Sequence, residues 1–169
     1  DLTKFAREGK TRGLFKNRMV VSLLTGEPEY LDPLKDDAPE DWLVTGYPYQ
    51  QIAMPQHKAF LAAYEKKYND YPRLNSVVGY ATMKAIAAGI TKAGSVETDK
   101  LVTAFKGLGF DSPFGPVVFR AQDNQSTMGI FVGRTTVANG KGLMKTGTYI
   151  DGAQLTLPDA DIARLRTAK

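Results

Sequence analysis

The order of segments along this chain predicts an α/β fold. Three observations carry that prediction. The first third alternates helical and strand-like stretches, as α/β sheets do. From Pro55 to about Phe105 the apolar spacing changes to the three-and-four repeat of helices. From Pro116 onward the chain turns β-like, with one strong hairpin signal.

The elements follow in order. Residues 1–9 read as an amphipathic helix with Leu2, Phe5 and Ala6 on one side. There is no initiator Met and no charged-then-apolar leader, so the expectation is a chain that begins inside a larger protein. Residues 19–25 form a continuous apolar run closed by Gly26 and Pro28, the pattern of a buried strand. Residues 26–33 are a turn entering a short helical piece, and 35–41 are a polar loop. Residues 42–48 are a second strand, stopped by Pro48. A helix over 55–71 carries Phe60, Tyr64, Tyr68 and Tyr71, with Pro55 in its first turn and Pro72 beyond its end. A second, capped by Asn75 or Ser76, runs to about Ala93 with Val78, Thr82, Ala85, Ile86 and Ile90 inward. A third, capped by Thr98, points Leu101, Val102 and Phe105 inward and stops at Gly107 and Gly109. Residues 116–119 are a short strand. Residues 128–137 and 143–150 flank Asn139-Gly140, a pair that accepts positive φ, and so predict a hairpin. Residues 158–166 form a helix with acids first and arginines last, matching the helix dipole. The strands are too few to be covered on both faces by these helices, which predicts a part of a larger arrangement.

Composition bounds the function. A chain of 169 residues, 43% hydrophobic and 24% charged, is one domain or two small ones and is not mainly disordered. No apolar run reaches the ~18 residues of a membrane helix. Cysteine is absent, which excludes a disulfide framework, a thiolate nucleophile and a cysteine-ligated metal site. The net charge is +4, from 22 basic and 18 acidic residues that are interspersed. The densest basic stretch is Lys10, Arg12, Lys16 and Arg18, but the cations as a whole sit on the polar faces of the expected helices and in loops, so a solvated surface is favoured over nucleic-acid binding.

Catalytic chemistry finds little support. The sole histidine, His57, has no second His, no HExxH and no GxSxG around it, and reads as an exposed helix histidine. Neither a Walker loop nor a strand-borne GxGxxG is present, and no cofactor is implied. An enzyme, such as an α/β-hydrolase fragment, would lack its nucleophile–base pair. Glu27 and Glu29 stand out because they follow the first strand at its carboxyl end, where open α/β sheets place ligands. A carboxylate there can pair with a ligand ammonium; a surface turn acid is the alternative. Phe60, Tyr64 and Tyr68 at helical spacing read as core packing. Tyr47 and Tyr49 sit where the chain leaves the second strand, which suits either a cleft wall or the core.

Three segments, 72–95, 110–120 and 26–48, occur in an order that resembles the substrate-binding proteins of branched-chain amino-acid ABC transporters, the leucine/isoleucine/valine-binding type. The turn Gly26-Glu-Pro-Glu-Tyr-Leu-Asp-Pro-Leu34 is similar to the branch that takes aromatic carboxylates or amides. The resemblance implies a type I periplasmic binding protein fold: two Rossmann-like lobes joined by three hinge strands, of which only the C-terminal part is present. Residues 1–49 would belong to the second lobe and 50–113 would return helices to the first. Residues 114–169 would supply a hinge crossing, the hairpin and the last helix of the second lobe. It implies no enzyme but a periplasmic solute receptor of a bacterial uptake transporter. Its partners would be a small amino acid or aromatic carboxylate, a membrane permease, and the missing N-terminal portion. Glu27 is the nearest equivalent of the ammonium-binding acid, and Asn75, Ser76 and Val77 match helix-start positions that face the cleft. Tyr47 and Tyr49 would wall the ligand. A ligand-sensing domain of a regulator on the same fold is the alternative, which would need an attached signalling segment or stable dimerisation.

Overall fold

The computed structural model describes residues 1–167, so the last two residues of segment 114–169 lie outside the described residues. The elements run α1 (Leu2–Thr11), β1 (Val21–Gly26), α2 (Pro28–Leu34), β2 (Leu43–Gly46), α3 (Pro55–Tyr68), α4 (Leu74–Ala93), α5 (Thr98–Phe105), β3 (Gly109–Ser112), β4 (Gly115–Val118), β5 (Ile130–Ala138), β6 (Lys141–Ile150) and α6 (Asp159–Thr167). The mixed α/β class is as expected. A four-stranded sheet has the order β1-β2-β5-β6, with β1 parallel to β2 and β2 antiparallel to β5. β3 and β4 form a separate two-stranded sheet.

The chain divides into two compact units. The first comprises Asp1–Ala53, Leu61–Ser76 and Ile130–Tyr149; the second comprises Met54–Phe60, Val77–Gly129 and Ile150–Lys169.

In the first unit the sheet is held by register. Leu43 to Gly46 pair with Arg134 to Phe131. The β5–β6 turn is Asn139-Gly140, with φ of 51° and 75° at these residues, the left-handed pair a tight hairpin turn requires. Buried Trp42 packs edge-on against Phe15, whose ring lies in turn against Phe5. The Trp42 backbone N–H donates to Thr135 Oγ1 (3.1 Å). β1 departs from expectation. Only Thr25 and Gly26 are buried, while Val21 is 58% and Leu23 70% exposed. The apolar run predicts a strand covered on both faces. Here β1 is an edge strand, paired with β2 alone among the described strands.

In the second unit, α4 turns a different face inward than the periodicity suggests. Val77, Ala81, Ala85 and Gly89 are buried, while Val78 and Ile86 are exposed. The cause is close approach: a Cβ at Gly89 would meet the Phe105 ring at 2.5 Å, so the small-residue face is the one that α5 can pack against. α4 starts at Leu74, one residue before the expected cap, and Glu97 rather than Thr98 occupies the N-cap of α5. On α5 it is Ala104 that is buried, and Val102 is exposed. Gly109 does not end that helix; it opens β3, in a hairpin with β4. Ser112 Oγ accepts from Phe114 N–H (3.0 Å) and donates to Gly115 O (2.9 Å) across that turn. Asp159, in the first turn of α6, accepts from Arg120 Nη2 (2.6 Å) and Gln122 Nε2 (2.8 Å).

His57 also belongs to this unit, and the expectation of an exposed helix histidine is wrong. Its exposure is 0%, and its ring lies 6.4 Å from Phe60 and 6.2 Å from Phe114. Burial pushes its pKa down to about 4, so the imidazole is neutral at physiological pH.

Candidate functional site

The carboxyl ends of β1 and β2 meet at a pair of glycines. Gly26 is in register with Gly46, after a register shift that begins at Ser22. The backbones approach so closely that a Cβ on Gly46 would stand 2.1 Å from Gly26 O. Tyr47 N–H donates to that same carbonyl (3.2 Å), so the next residue of the chain is carried directly over the end of β1. Only glycine at both positions permits this approach.

A narrow cleft opens beside this junction, wholly within the first unit. Its floor is Gly26 and Pro28 with Leu31 of α2. Its walls are Tyr47, Tyr49 and Tyr71, with Gly142 to Met144 of β6 closing the far side. Tyr47 is 1% exposed, and its ring stands 6.1 Å from Tyr49. After Pro48 a single 3-10 turn, Tyr49–Gln51, sets Tyr49 at the rim. Gln51 Nε2 donates to Met144 O (2.7 Å), which ties that turn to β6. Tyr49 and Tyr71 stack face to face, centroids 4.6 Å apart and planes 2° apart.

Burial raises the phenol pKa of Tyr47, with the neighbouring Tyr49 adding to it. Burial raises Tyr71 likewise, reinforced by its hydrogen bond to Asp32, and Tyr49 is also raised, chiefly by burial. All three cleft phenols are therefore neutral hydroxyls at physiological pH, able to donate as well as accept. Such walls suit a flat or apolar ligand with a polar end.

Acids border the same junction. Glu27 is half-buried at the N-cap position of α2 without capping the helix through its side chain. Its carboxyl pKa is raised, first by burial and then by Glu29. Glu29 Oε1 accepts from the Asn75 backbone N–H (3.2 Å). A carboxylate whose charge is disfavoured by burial and a second acid gains most from a cation placed beside it.

The expected site residues are thus distributed unevenly. Tyr47 and Tyr49 line the cleft. Glu27 lies between two lining residues, Gly26 and Pro28, without itself lining it. Asn75 meets Glu29, and Ser76 Oγ donates to the Tyr64 hydroxyl (3.2 Å). Val77, in the second unit, is 0% exposed and serves that unit's packing. The sequence reading missed Tyr71, which it placed on the α3 stripe. α3 ends at Tyr68, and Tyr71 lies in the connection to α4. Its signal was the Pro72 that follows, since a residue before proline is pushed out of helical geometry. Asp32, Leu31 and residues 142–144 were missed as well; nothing local marks them. The tyrosine stripe of α3 is core only in part: Phe60 is buried and Tyr68 exposed. Among the described residues no cluster of side chains could hold a metal ion, and no helix is long and apolar enough to cross a membrane.

Comparison with solved structures finds the same fold repeatedly. A substrate-binding protein of an amino-acid ABC transporter from Pseudomonas fluorescens superposes with a TM-score of 0.77 at 17% identity, over 95% of this chain and 43% of that one. An ABC-type branched-chain amino acid transporter protein from Rhodopseudomonas palustris gives 0.70 at 21% identity, over 83% of this chain and 38% of that one. A solute-binding protein of an ABC transporter from Rhodopseudomonas palustris, in complex with 3,4-dihydroxybenzoic acid, gives 0.67 at 22% identity, over 89% of this chain and 42% of that one. At these identities the likeness is one of fold, the type I periplasmic binding protein fold, and this chain spans about two fifths of the length of those structures. Comparison with curated proteins finds no match. Residues 1–141 match the family model described as Periplasmic binding protein, so the chain belongs to the periplasmic binding protein family.

Proposed function

We propose that this chain is part of the periplasmic solute receptor of a bacterial ABC uptake transporter, a binding protein and not an enzyme. In this reading residues 1–49 and 114–169 belong to one lobe, and residues 50–113 return helices to the other. Lobe closure traps the ligand and presents the closed form to a membrane permease. The remaining polypeptide of a full-length receptor completes both lobes.

The observation that carries the reading is the aromatic-walled cleft beside the carboxyl ends of two parallel strands, with Glu27 and Glu29 next to it. That is where open α/β sheets receive ligands. Neutral phenols and apolar walls favour a small aromatic carboxylate or an amino acid. Glu27 supplies the charge for an ammonium, while Tyr47 and Tyr49 wall the side chain or ring. Asn75 and Ser76 add polar contacts from the opposite lobe.

Calorimetric titration of the full-length receptor with leucine, 4-hydroxybenzoate and 3,4-dihydroxybenzoate tests this. At least one should bind with Kd in the micromolar range or tighter. Glu27→Gln should weaken an amino acid about tenfold or more, since it removes a charge-assisted contact of ~1.5–3 kcal/mol, and should leave a benzoate almost unchanged. Binding of an amino acid that is indifferent to Glu27→Gln removes Glu27 as the ammonium partner. Failure of all three probes counts against the receptor reading itself.

A further inference from the structure

Phe15 organises the turn that joins α1 to β1. Its ring fills a notch over Gly9, where a Cβ would stand 2.3 Å from the ring, and lies edge-on to buried Trp42 at 4.7 Å. The backbone around it closes in short turns. Leu14 N–H donates to Gly9 O, Lys16 N–H to Gly13 O and Arg18 N–H to Phe15 O. Gly13 and Asn17 supply the left-handed φ values, 67° and 57°, that such turns need. With Phe15 held inward, its neighbours stay outside. Leu14 is 42% and Met19 75% exposed, and Lys16 and Arg18 are exposed beside them.

Charge is spread as unevenly as apolar surface. Residues 1–24 hold six cations and two acids, and the other 145 residues hold sixteen of each. The whole net charge of +4 therefore belongs to the first 24 residues, and no acid occurs from Gly9 to Gly26. Arg7 pairs with Asp37 (3.0 Å) and Arg12 with Glu8 (3.3 Å). Lys10, Lys16 and Arg18 form no ion pair among the described residues. Lys10 Nζ and Arg18 Nη1 donate instead to the backbone oxygens of Asp36 and Leu14.

Unpaired cations that alternate with exposed aliphatic side chains match a surface that is anionic outside and apolar beneath. Nucleic acid matches less well. Its bases stack on aromatic faces, and the aromatic ring of this turn, Phe15, is held against Trp42. We propose that the α1–β1 turn, Arg12 to Met19, docks the protein on an anionic phospholipid bilayer. Lys16 and Arg18 lie among the headgroups, while Leu14 and Met19 enter the acyl boundary. Docking of this kind is reversible and salt-sensitive and needs no membrane-spanning helix. The proposal lies wholly within the first unit and stands independently of the receptor reading.

Flotation of the full-length protein with vesicles tests it. Phosphatidylcholine vesicles with about a third phosphatidylglycerol, at about 50 mM salt, should carry severalfold more protein than pure phosphatidylcholine vesicles, and about 0.5 M salt should remove the difference. Lys16→Glu with Arg18→Glu should weaken binding to the anionic vesicles about tenfold or more. Lys66→Glu with Lys67→Glu, on exposed positions of α3, makes the same change in net charge and should leave binding within about twofold. Leu14→Ser with Met19→Ser should weaken binding severalfold and keep its salt dependence. Equal binding to neutral and anionic vesicles overturns the proposal, as do equal losses in the two charge-reversed variants. If Lys16→Glu with Arg18→Glu lowers the urea midpoint of Trp42 fluorescence, the serine pair decides instead. Absence of vesicle binding overturns the proposal too. Concentration-dependent dimerisation lost in the same variants then identifies a second copy as the occupant, and binding of a DNA oligonucleotide identifies nucleic acid. Failure of the ligand titrations of the preceding section leaves each of these outcomes as decisive as before.

Discussion

The cleft of the first unit and the interior of the second both bury ionisable rings, with opposite consequences. In the cleft, burial raises the phenols of Tyr47, Tyr49 and Tyr71. In the second unit, burial lowers His57 to about 4. The physical cause is the same: desolvation disfavours whichever form is charged. The surroundings differ. Tyr49 and Tyr71 keep polar partners in Gln50 and Asp32 at a solvent-open rim. His57 is fully buried in the unit's interior, with the rings of Phe60 and Phe114 6.4 and 6.2 Å away. A buried ring with polar groups beside an opening is a surface for recognition. A ring fully buried in the interior, away from any opening, is core.

The sharpest way to break the comparison is at the glycine junction beneath the cleft. Gly46→Ala forces a Cβ to 2.1 Å from the Gly26 carbonyl, and backbone cannot yield as a side-chain tip can. A loss of about 3 kcal/mol or more is expected, read as a lower urea midpoint of Trp42 fluorescence, Trp42 being the only tryptophan and in the same unit. A loss below ~1 kcal/mol would mean that the strand ends separate freely and that the cleft floor is not set by this contact.

The next effect lies in the second unit and depends on pH. The folded pKa of His57, about 4, is below the unfolded value of about 6.5. The stability that comes from keeping His57 neutral is therefore complete above pH 6.5 and is lost as pH falls from 6.5 to 4. The loss should be about 2 kcal/mol, and His57→Leu should flatten that part of the pH profile. A parent profile that is already flat over this interval would show that the ring takes up its proton without opening the core.

The smallest effect is expected on β1. Leu23→Lys replaces a side chain that is 70% exposed, so stability should change by no more than ~0.5 kcal/mol. Solubility of the chain should rise, because an apolar edge strand invites pairing with other strands. A large destabilisation would show that Leu23 is covered in solution.

Much of the fold was legible because local chemistry determined it. The Asn139-Gly140 hairpin, the proline-bounded start of α3 and the acid-first α6 all appear where turn preference, proline geometry and the helix dipole place them. Tyr47 and Tyr49 were legible as cleft candidates from their position at a strand end. What failed were judgements of which side faces inward. β1 read as buried because an apolar run carries no information about whether a neighbour is present. α4 read one residue off because periodicity counts large apolar residues, whereas helix packing here selected the small ones, Val77, Ala81, Ala85 and Gly89. His57 read as exposed because a lone histidine has no pattern at all.

The sequence by itself determined the order of the elements apart from β3, the Asn139-Gly140 turn, the α/β class and the absence of thiol chemistry, since each depends on residue types or on residues close together in the chain. Only the tertiary structure decided that Tyr71 stacks on Tyr49, that Asp32 receives Tyr71 and Arg73, and that Gly26 and Gly46 touch. The residues in these contacts are separated by 20 to 41 positions in the sequence, and no local preference encodes them. They arise when strand pairing and helix packing bring distant segments to one place, and the cleft is built from such contacts.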